Sequence, residues 1–397
     1  MERPAVLVLT STFPRWANDT EPPFVFELCR RLTPHFEVHV SAPHAPGAHP
    51  SETLNGVHVH RFRYFPDCGE RLAYEGGILP KLRKKPLLLA CLPFFLAAQL
   101  RSAVLLCRRH RIKVIHAHWI LPQGAIALIT RRLSKGGARV LCTLHGADLY
   151  GLRGGLFNRL RRAIVNGAER LTVVSRAMQR DLAGEPGKVA VVPMGVDLQG
   201  RFTPGPEPRR RQSLLFVGRM VEKKGLRYLL EAMPSIIRRC PDASLRIAGS
   251  GPLQSVFERM SRDMGLQDRV QFMGPVANTE LPRLYRGAEV VVFPSVISAG
   301  GDREGFGLVL VEAMGCGCAV AASDLPAVRD ILRPWETGAV FPPADAGQLA
   351  VVVARLLLDP ALRETLARNG RAFVREHFDW DLIAHRYKGL LDELLTT

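Results

Sequence analysis

Short runs of β-branched and aliphatic residues recur along this chain, each followed by a longer stretch of helical spacing, and this alternation limits the fold more than any other feature. The runs AVLVL (5–9), EVHV (37–40), KVIHAH (113–118), RVLCTL (139–144), RLTVVS (170–175) and VAVV (189–192) come first. A second series follows: SLLFVG (213–218), SLRIAG (244–249), RVQFMG (269–274), EVVVFP (289–294) and CAVAAS (318–323). Strands separated by helices give parallel, doubly wound sheets. Between the two series, GRFTPGPEPRRRQ (200–212) is rich in Pro, Gly and Arg and reads as a linker. The expected architecture is therefore α/β, with two Rossmann-like doubly wound domains facing across a cleft. Residues 1–200 form the first domain, 201–212 the linker and 213–375 the second domain. Residues 376–397 form a C-terminal helix expected to pack back toward the first. A chain of 397 residues is long enough for two such domains.

Charge is distributed unevenly. Residues 1–200 hold 28 Lys and Arg against 14 Asp and Glu, and residues 201–397 hold 26 against 23. A basic first half suits an anionic partner: a phosphorylated substrate, anionic lipid or nucleic acid. The eight cysteines form no CxxC pair and sit mostly in apolar runs, as reduced thiols of a cytosolic protein do. Cys316-Gly-Cys318 has no second pair to complete a metal site. The N-terminus, MERPAVLVLTSTFPRW, turns after a short apolar run and reads as a first strand, not a signal peptide.

In doubly wound sheets ligands bind beyond the carboxyl ends of strands, where the next helix offers unpaired amides and the positive end of its dipole. Four such places carry chemistry. His145-Gly146-Ala147-Asp148 follows RVLCTL, and Arg219, Lys223 and Lys224 follow SLLFVG. Ser250-Gly251 follows SLRIAG, and Ser295 follows EVVVFP. Beyond Ser295 lies DREGFGLVLVEAMGCG (302–317), with two carboxylates in a glycine-rich, aliphatic stretch. Buried carboxylates are costly without partners. Glu304 would approach the N-terminus of a buried helix, and Glu312 would lie about a turn and a half inside it. Both could accept hydrogen bonds from the hydroxyls of one ligand.

Four stretches together resemble the GT-B glycosyltransferases of family 4, over nearly the whole chain. HGADLYG (145–151) is similar to that family's N-domain histidine loop, and VPMGVDLQGRF (192–202) to its interdomain segment. FVGRMVEKKGLRYLLEAM (216–233) resembles its phosphate-contacting strand-loop-helix, and REGFGLVLVEAMGCGCAV its E-x7-E donor motif. The resemblance implies a retaining glycosyltransferase that takes a sugar from a nucleotide-sugar donor and places it on an acceptor held mainly by the N-domain. Glu304 would contact sugar hydroxyls and Glu312 the ribose hydroxyls. Arg219 and Lys224 would hold the diphosphate, and His145 would sit over the transferred sugar. Gly218, Gly251, Gly305, Phe306 and Gly307 would border the donor. No cofactor is implied beyond the nucleotide-diphosphate sugar as co-substrate, and no metal. A nucleotide-sugar epimerase on the same fold is an alternative reading. A basic nucleic-acid-binding protein is another, although no RNP-type strand, zinc spacing or recognition helix accompanies the charge, so no nucleic acid is expected.

Two loops depart from the family pattern. Where many relatives carry a glycine pair, the first strand-to-helix loop reads STFPRWANDTEPPF (11–24), and Asp324-Leu325-Pro326-Ala327 follows CAVAAS. Donor or acceptor contacts at these loops are not assumed. Asp379-Trp380-Asp381 matches a metal-binding string, but it opens an amphipathic helix with Ile383, Ala384, Tyr387, Leu390 and Leu391 on one face, so Asp379 reads as a cap. His116 and His118 share a face of a strand end, and with no third ligand they read as support for the cleft floor.

The segment KLRKKPLLLACLPFFLAAQLRSAVLLCRRHRIK (81–113) has an apolar part, Leu87 to Ala98, shorter than the roughly 20 residues of a bilayer span, and Pro93 should interrupt it. Flanking basic residues suit an interfacial segment on an anionic membrane, with Arg159, Arg161 and Arg162 extending that surface. On that reading the acceptor is lipid-linked, as in cell-envelope polysaccharide assembly. The protein is then cytoplasmic, peripheral on the inner face of the membrane; the competing reading is a core helix with solvated ends.

Overall fold

The structure is a computed structural model that describes residues 3–16, 19, 21–74, 77–151, 154–182 and 187–396, apart from the side chains at 79, 80 and 83. The chain divides into two compact units, Met1–Gly195 with Asp381–Thr397, and Val196–Trp380.

The first unit is built on an eight-stranded sheet. Its strands are β1 (Ala5–Leu9), β2 (Glu37–Pro43), β3 (Ser51–Leu54), β4 (Val57–Phe62), β5 (Val114–His118), β6 (Arg139–Leu144), β7 (Arg170–Val173) and β8 (Val189–Val191). They lie in the order β3-β4-β2-β1-β5-β6-β7-β8, parallel except for the β3–β4 pair. Sequence spacing did not reveal β3 and β4: SETL is short and polar, and VHVHRF alternates valine with imidazole. AVLVL is wholly buried, as a central parallel strand covered on both faces must be. The winding changes direction between β1 and β5, which makes the loops after those two strands the place for a ligand.

A turn of 3-10 helix, Pro86–Cys91, runs directly into the α-helix Leu92–Arg109. Pro93 lies in the first turn of that α-helix, where its missing N–H costs nothing, so it does not interrupt the apolar segment as the sequence suggested. The resulting helical stretch, Pro86–Arg109, is 24 residues long and by length and composition apolar enough to cross a membrane. From Phe95 onward one side of it is nevertheless packed against the unit. Phe95, Gln99, Ala103, Leu106 and Cys107 are buried, and Gln99 Nε2 donates to Thr10 O at 3.2 Å.

The C-terminal helix, Trp380–Thr396, belongs to this unit from Asp381 onward. Its buried Tyr387 places its hydroxyl 3.4 Å from Thr172 Oγ1 and 3.5 Å from Thr143 Oγ1. Ile383 and Leu391 are buried on the same face.

The second unit carries a six-stranded, fully parallel sheet. Its strands are β9 (Ser213–Val217), β10 (Ser244–Ala248), β11 (Val270–Gly274), β12 (Val290–Phe293), β13 (Ala319–Ser323) and β14 (Ala339–Phe341), in the order β11-β10-β9-β12-β13-β14. The three-residue β14 is too short to stand out in the sequence. Here the winding reverses between β9 and β12, so the loops after those strands meet at the switch point. Leu214, Phe216, Leu229, Leu230, Met233 and Val353 are among the buried residues that fill one face of this sheet. The segments entering and leaving the unit pair with each other: Val196 N donates to Phe378 O at 2.9 Å and Trp380 N to Val196 O at 3.1 Å. Asp379, just before the C-terminal helix, accepts from Gln199 Nε2 at 3.1 Å.

Candidate functional site

At the switch point of the second unit, the loops after β9, β10 and β12 are fastened by backbone. Met220 N donates to Ser250 O at 2.9 Å, and Val296 N to Lys223 O at 2.8 Å. The β9 and β10 loops approach so closely that a Cβ on Gly251 would lie 2.5 Å from Met220 O, which restricts that position to glycine. Glu222–Lys224 is a single 3-10 turn with all three side chains engaged across loops. Glu222 Oε1 accepts from Ala299 N at 2.7 Å, Lys223 Nζ lies 3.1 Å from Asp302 Oδ1, and Lys224 Nζ lies 3.1 Å from Glu304 Oε1. The EKK stretch is thus not a solvated helix start.

Glu304 and Lys224 form a largely buried pair, their side chains 10% and 16% exposed. Burial by itself would raise the Glu304 carboxyl, but the charge of Lys224, then that of Lys223, holds it below its ordinary value and keeps it ionised. Glu304 Oε1 is shielded from solvent, with Lys224 Nζ 3.1 Å away. Ser295 Oγ, buried at the end of β12, is without a protein partner among the described residues. Arg219 is half-buried in the same loop as Lys224.

Gly305, Phe306 and Gly307 lead into the helix Leu308–Gly315. Gly307 adopts φ +131°, a conformation open to glycine and strained for other residues. The Phe306 ring is buried 5.5 Å from that of Phe378, so this position can offer a ligand backbone only. Glu312 sits within the helix and accepts from Tyr285 Oη at 2.7 Å. Burial raises the Glu312 carboxyl, and the Tyr285 bond only partly offsets it. The role of Tyr285 escaped sequence reading because it comes from another helix, Leu281–Arg286, with no motif of its own.

In the first unit, His145 follows β6, and its Nε2 lies 3.0 Å from His118 Nδ1 at the end of β5. Its ring is also 4.8 Å from Trp119 and 5.0 Å from Phe24. Burial, with His116 nearby, pushes His145 down to about 3, so it is a neutral imidazole at physiological pH. Asp148 holds the loop in shape. Its carboxylate accepts from the backbone N–H of His145 at 3.2 Å, Gly146 at 3.1 Å and Ile120 at 2.9 Å. His116 is spent structurally: its Nε2 meets Thr143 Oγ1 at 2.8 Å.

The two loops that lack the family glycines are closed by ion pairs. Arg15 grips Asp19 through Nε–Oδ2 at 2.9 Å and Nη2–Oδ1 at 2.7 Å, and lies over the Trp16 ring at 4.4 Å. Residues 17, 18 and 20 of that loop lie outside the described residues. Arg329 is bidentate to Asp324, both contacts 2.7 Å.

Two doubly wound α/β units, the second with Lys224 and Glu304 in the loops at its winding switch, define a two-domain architecture of the GT-B type. Comparison with known families agrees. Residues 23–199 match the family described as Glycosyltransferase Family 4, and residues 202–373 match Glycosyl transferases group 1. The chain is 31% identical over 301 residues to a GDP-mannose-dependent alpha-(1-6)-phosphatidylinositol monomannoside mannosyltransferase of Mycobacterium tuberculosis, covering 72% of this chain and 77% of that one. Sucrose-phosphate synthase from Thermosynechococcus elongatus superposes with a TM-score of 0.81 at 26% identity, covering 99% of this chain and all of that one. Anabaena Alr3699/HepE in complex with UDP-glucose shares the fold, with a TM-score of 0.73 at 17% identity over 98% of this chain and 99% of that one. The protein belongs to glycosyltransferase family 4. It is a nucleotide-sugar-dependent glycosyltransferase.

Proposed function

We propose that the protein is a retaining glycosyltransferase that moves a sugar, with mannose from GDP-mannose the first candidate, onto a lipid-linked saccharide or glycolipid at the cytoplasmic face of a membrane. One observation carries this reading. Glu304 is held ionised and largely buried beside Lys224, at the winding switch of the second unit's sheet. A carboxylate of that kind suits a sugar hydroxyl, and a lysine 3.1 Å from it suits the adjoining phosphate. In this reading Lys224 and Arg219 take up the charge that develops on the diphosphate as the sugar becomes oxocarbenium-like. Glu312, oriented by Tyr285, receives the ribose hydroxyls. The backbone at Gly218, Gly251 and Gly305–Gly307 lines the donor. Neutral His145 sits by the transferred sugar and donates or accepts without bringing a cation to it. Transfer is front-face, with the leaving diphosphate taking the acceptor's proton, and no metal is assigned to the donor. The choice of mannose and of a lipid acceptor rests on the mycobacterial relative.

A thermal-shift series with GDP-mannose, UDP-glucose and their nucleoside diphosphates tests the donor assignment. A true donor at about 100 times its dissociation constant should stabilise the fold by roughly 2.7 kcal/mol. No shift with any nucleotide sugar or diphosphate would refute the site. Donor incubated alone should yield no epimer. A chelator should leave transfer intact, whereas a loss restored by magnesium or manganese would contradict the metal-free assignment.

A further inference from the structure

Four imidazoles gather on one side of the first unit's sheet, where a parallel strand ordinarily places β-branched residues. In β2, His39 pairs in register with His58 of β4, and His60 follows two residues later. His110, the residue after the helix Leu92–Arg109, closes the group, with its ring 3.9 Å from that of His39. His39 Nδ1 and His60 Nε2 are 3.2 Å apart. Two nitrogens bound to one tetrahedral zinc at about 2.0–2.1 Å lie about 3.3 Å apart. One donor atom from each of His39, His60 and His110 falls within 4.8 Å of the others.

We propose that His39, His60 and His110 form a binding site for a divalent transition metal of the zinc class, oriented by Glu37, at the amino-terminal side of the first unit's sheet. Glu37 Oε1 lies 3.0 Å from His39 Nε2. Accepting that N–H turns the Nδ1 lone pair toward His60, the carboxylate–histidine–metal relation common around bound zinc. Glu37 Oε1 is also 3.9 Å from His110 Nδ1 and supplies negative charge against Arg109. His39 is buried while His60 and His110 are half-exposed, which leaves an ion a way in. His58, stacked on His39 with centroids 5.0 Å apart, completes the wall.

The site lies at the opposite end of the strands from His145. His110 precedes β5, whereas His145 follows β6. A metal there would tie β2 and β4 to the end of the helix Leu92–Arg109 and brace it without entering the transfer reaction.

The test uses the untagged full-length chain, stripped with chelator and titrated with cobalt(II), then zinc. The expected result is one equivalent of cobalt giving tetrahedral visible absorption, bleached by zinc, and a thermal midpoint raised by equimolar zinc. His60→Asn and His110→Asn, each at a half-exposed ring, should weaken binding at least about tenfold. His35→Asn, an exposed histidine outside the group, should not. Absence of a saturable single equivalent in the unmodified chain, or binding that both variants leave unchanged, would overturn the site and leave a hydrogen-bonded histidine ladder.

Discussion

At the scale of single residues, the pairing of Glu304 with Lys224 changes what substitution should do. The family resemblance assigns both residues partners on the ligand. The structure gives each a protein partner, so Glu304→Gln should also cost on the order of 1–3 kcal/mol at neutral pH, by leaving a buried ammonium unpaired. The Glu304 carboxyl is depressed in the fold, so its contribution is present above the ordinary glutamate value of about 4.3 and is lost as pH falls through the lower folded value. Denaturant unfolding of the unmodified chain and Glu304→Gln should thus converge in acid, and a gap that persists or widens there would contradict the pairing. His145, at about 3, gives the opposite kind of prediction. Transfer should show no inflection near the ordinary histidine value of about 6.5, and one that vanishes in His145→Asn would show a titrating imidazole. Tyr285→Phe should weaken nucleotide affinity more than turnover, because it removes the hydroxyl that orients Glu312 and lets burial raise that carboxyl further. Calorimetric titration with the nucleoside diphosphate reads this directly, and unchanged affinity would detach Glu312 from the ribose.

At the scale of elements, short runs rich in β-branched and aliphatic residues declared most strands, while the short polar β3, the valine–imidazole alternation of β4 and the three-residue β14 did not stand out. The Glu304 loop and the His145 loop were legible because each follows such a run. Tyr285 and Asp148 were not, since their work is to hold other residues and depends on contacts that spacing does not encode. The helical stretch Pro86–Arg109 shows a second limit. Pro93 reads as a breaker in sequence, but at a helix start it is neutral. Leu87 is 91% exposed and Leu89 and Phe94 are more than half exposed, beside exposed Lys84 and Lys85. Leu156 and Leu160 stand exposed on the helix Gly155–Gly167, which carries Arg159, Arg161 and Arg162. Apolar side chains beside basic ones suit an anionic bilayer surface, each charge being worth about 1 kcal/mol. Co-sedimentation should therefore occur with anionic but not neutral vesicles, be released by salt, and fall on combining Leu87→Asn with neutral replacements of Lys84 and Lys85. Equal recovery in the supernatant with both vesicle types at low salt would remove membrane docking from the account.

At the scale of the whole molecule, the two series of strands in the sequence correspond to two sheets, and the second reverses its winding where Lys224 and Glu304 lie. The two donor-side motifs gather at that reversal for a topological reason: there the loops diverge enough to admit a ligand beyond the strand ends. The sheets alone would fit many chemistries, and it is the Glu304, Lys224 and Glu312 grouping that narrows them. The acceptor stays less legible, because the one loop of the first unit that differs from the family pattern is closed by its own ion pair, Arg15 with Asp19. The central claim is that the Glu304–Lys224 pair serves sugar transfer. It is tested most directly by the initial rate of nucleoside diphosphate release, with acceptor vesicles and the nucleotide sugar giving the largest thermal shift, for the unmodified chain and Glu304→Gln. Both should be assayed well below their unfolding midpoints. The predicted result is acceptor-dependent release that falls by about 10²–10³ in the variant, the usual cost of losing one preorganised charge contact in a transition state. Release by folded Glu304→Gln at the unmodified rate would contradict it.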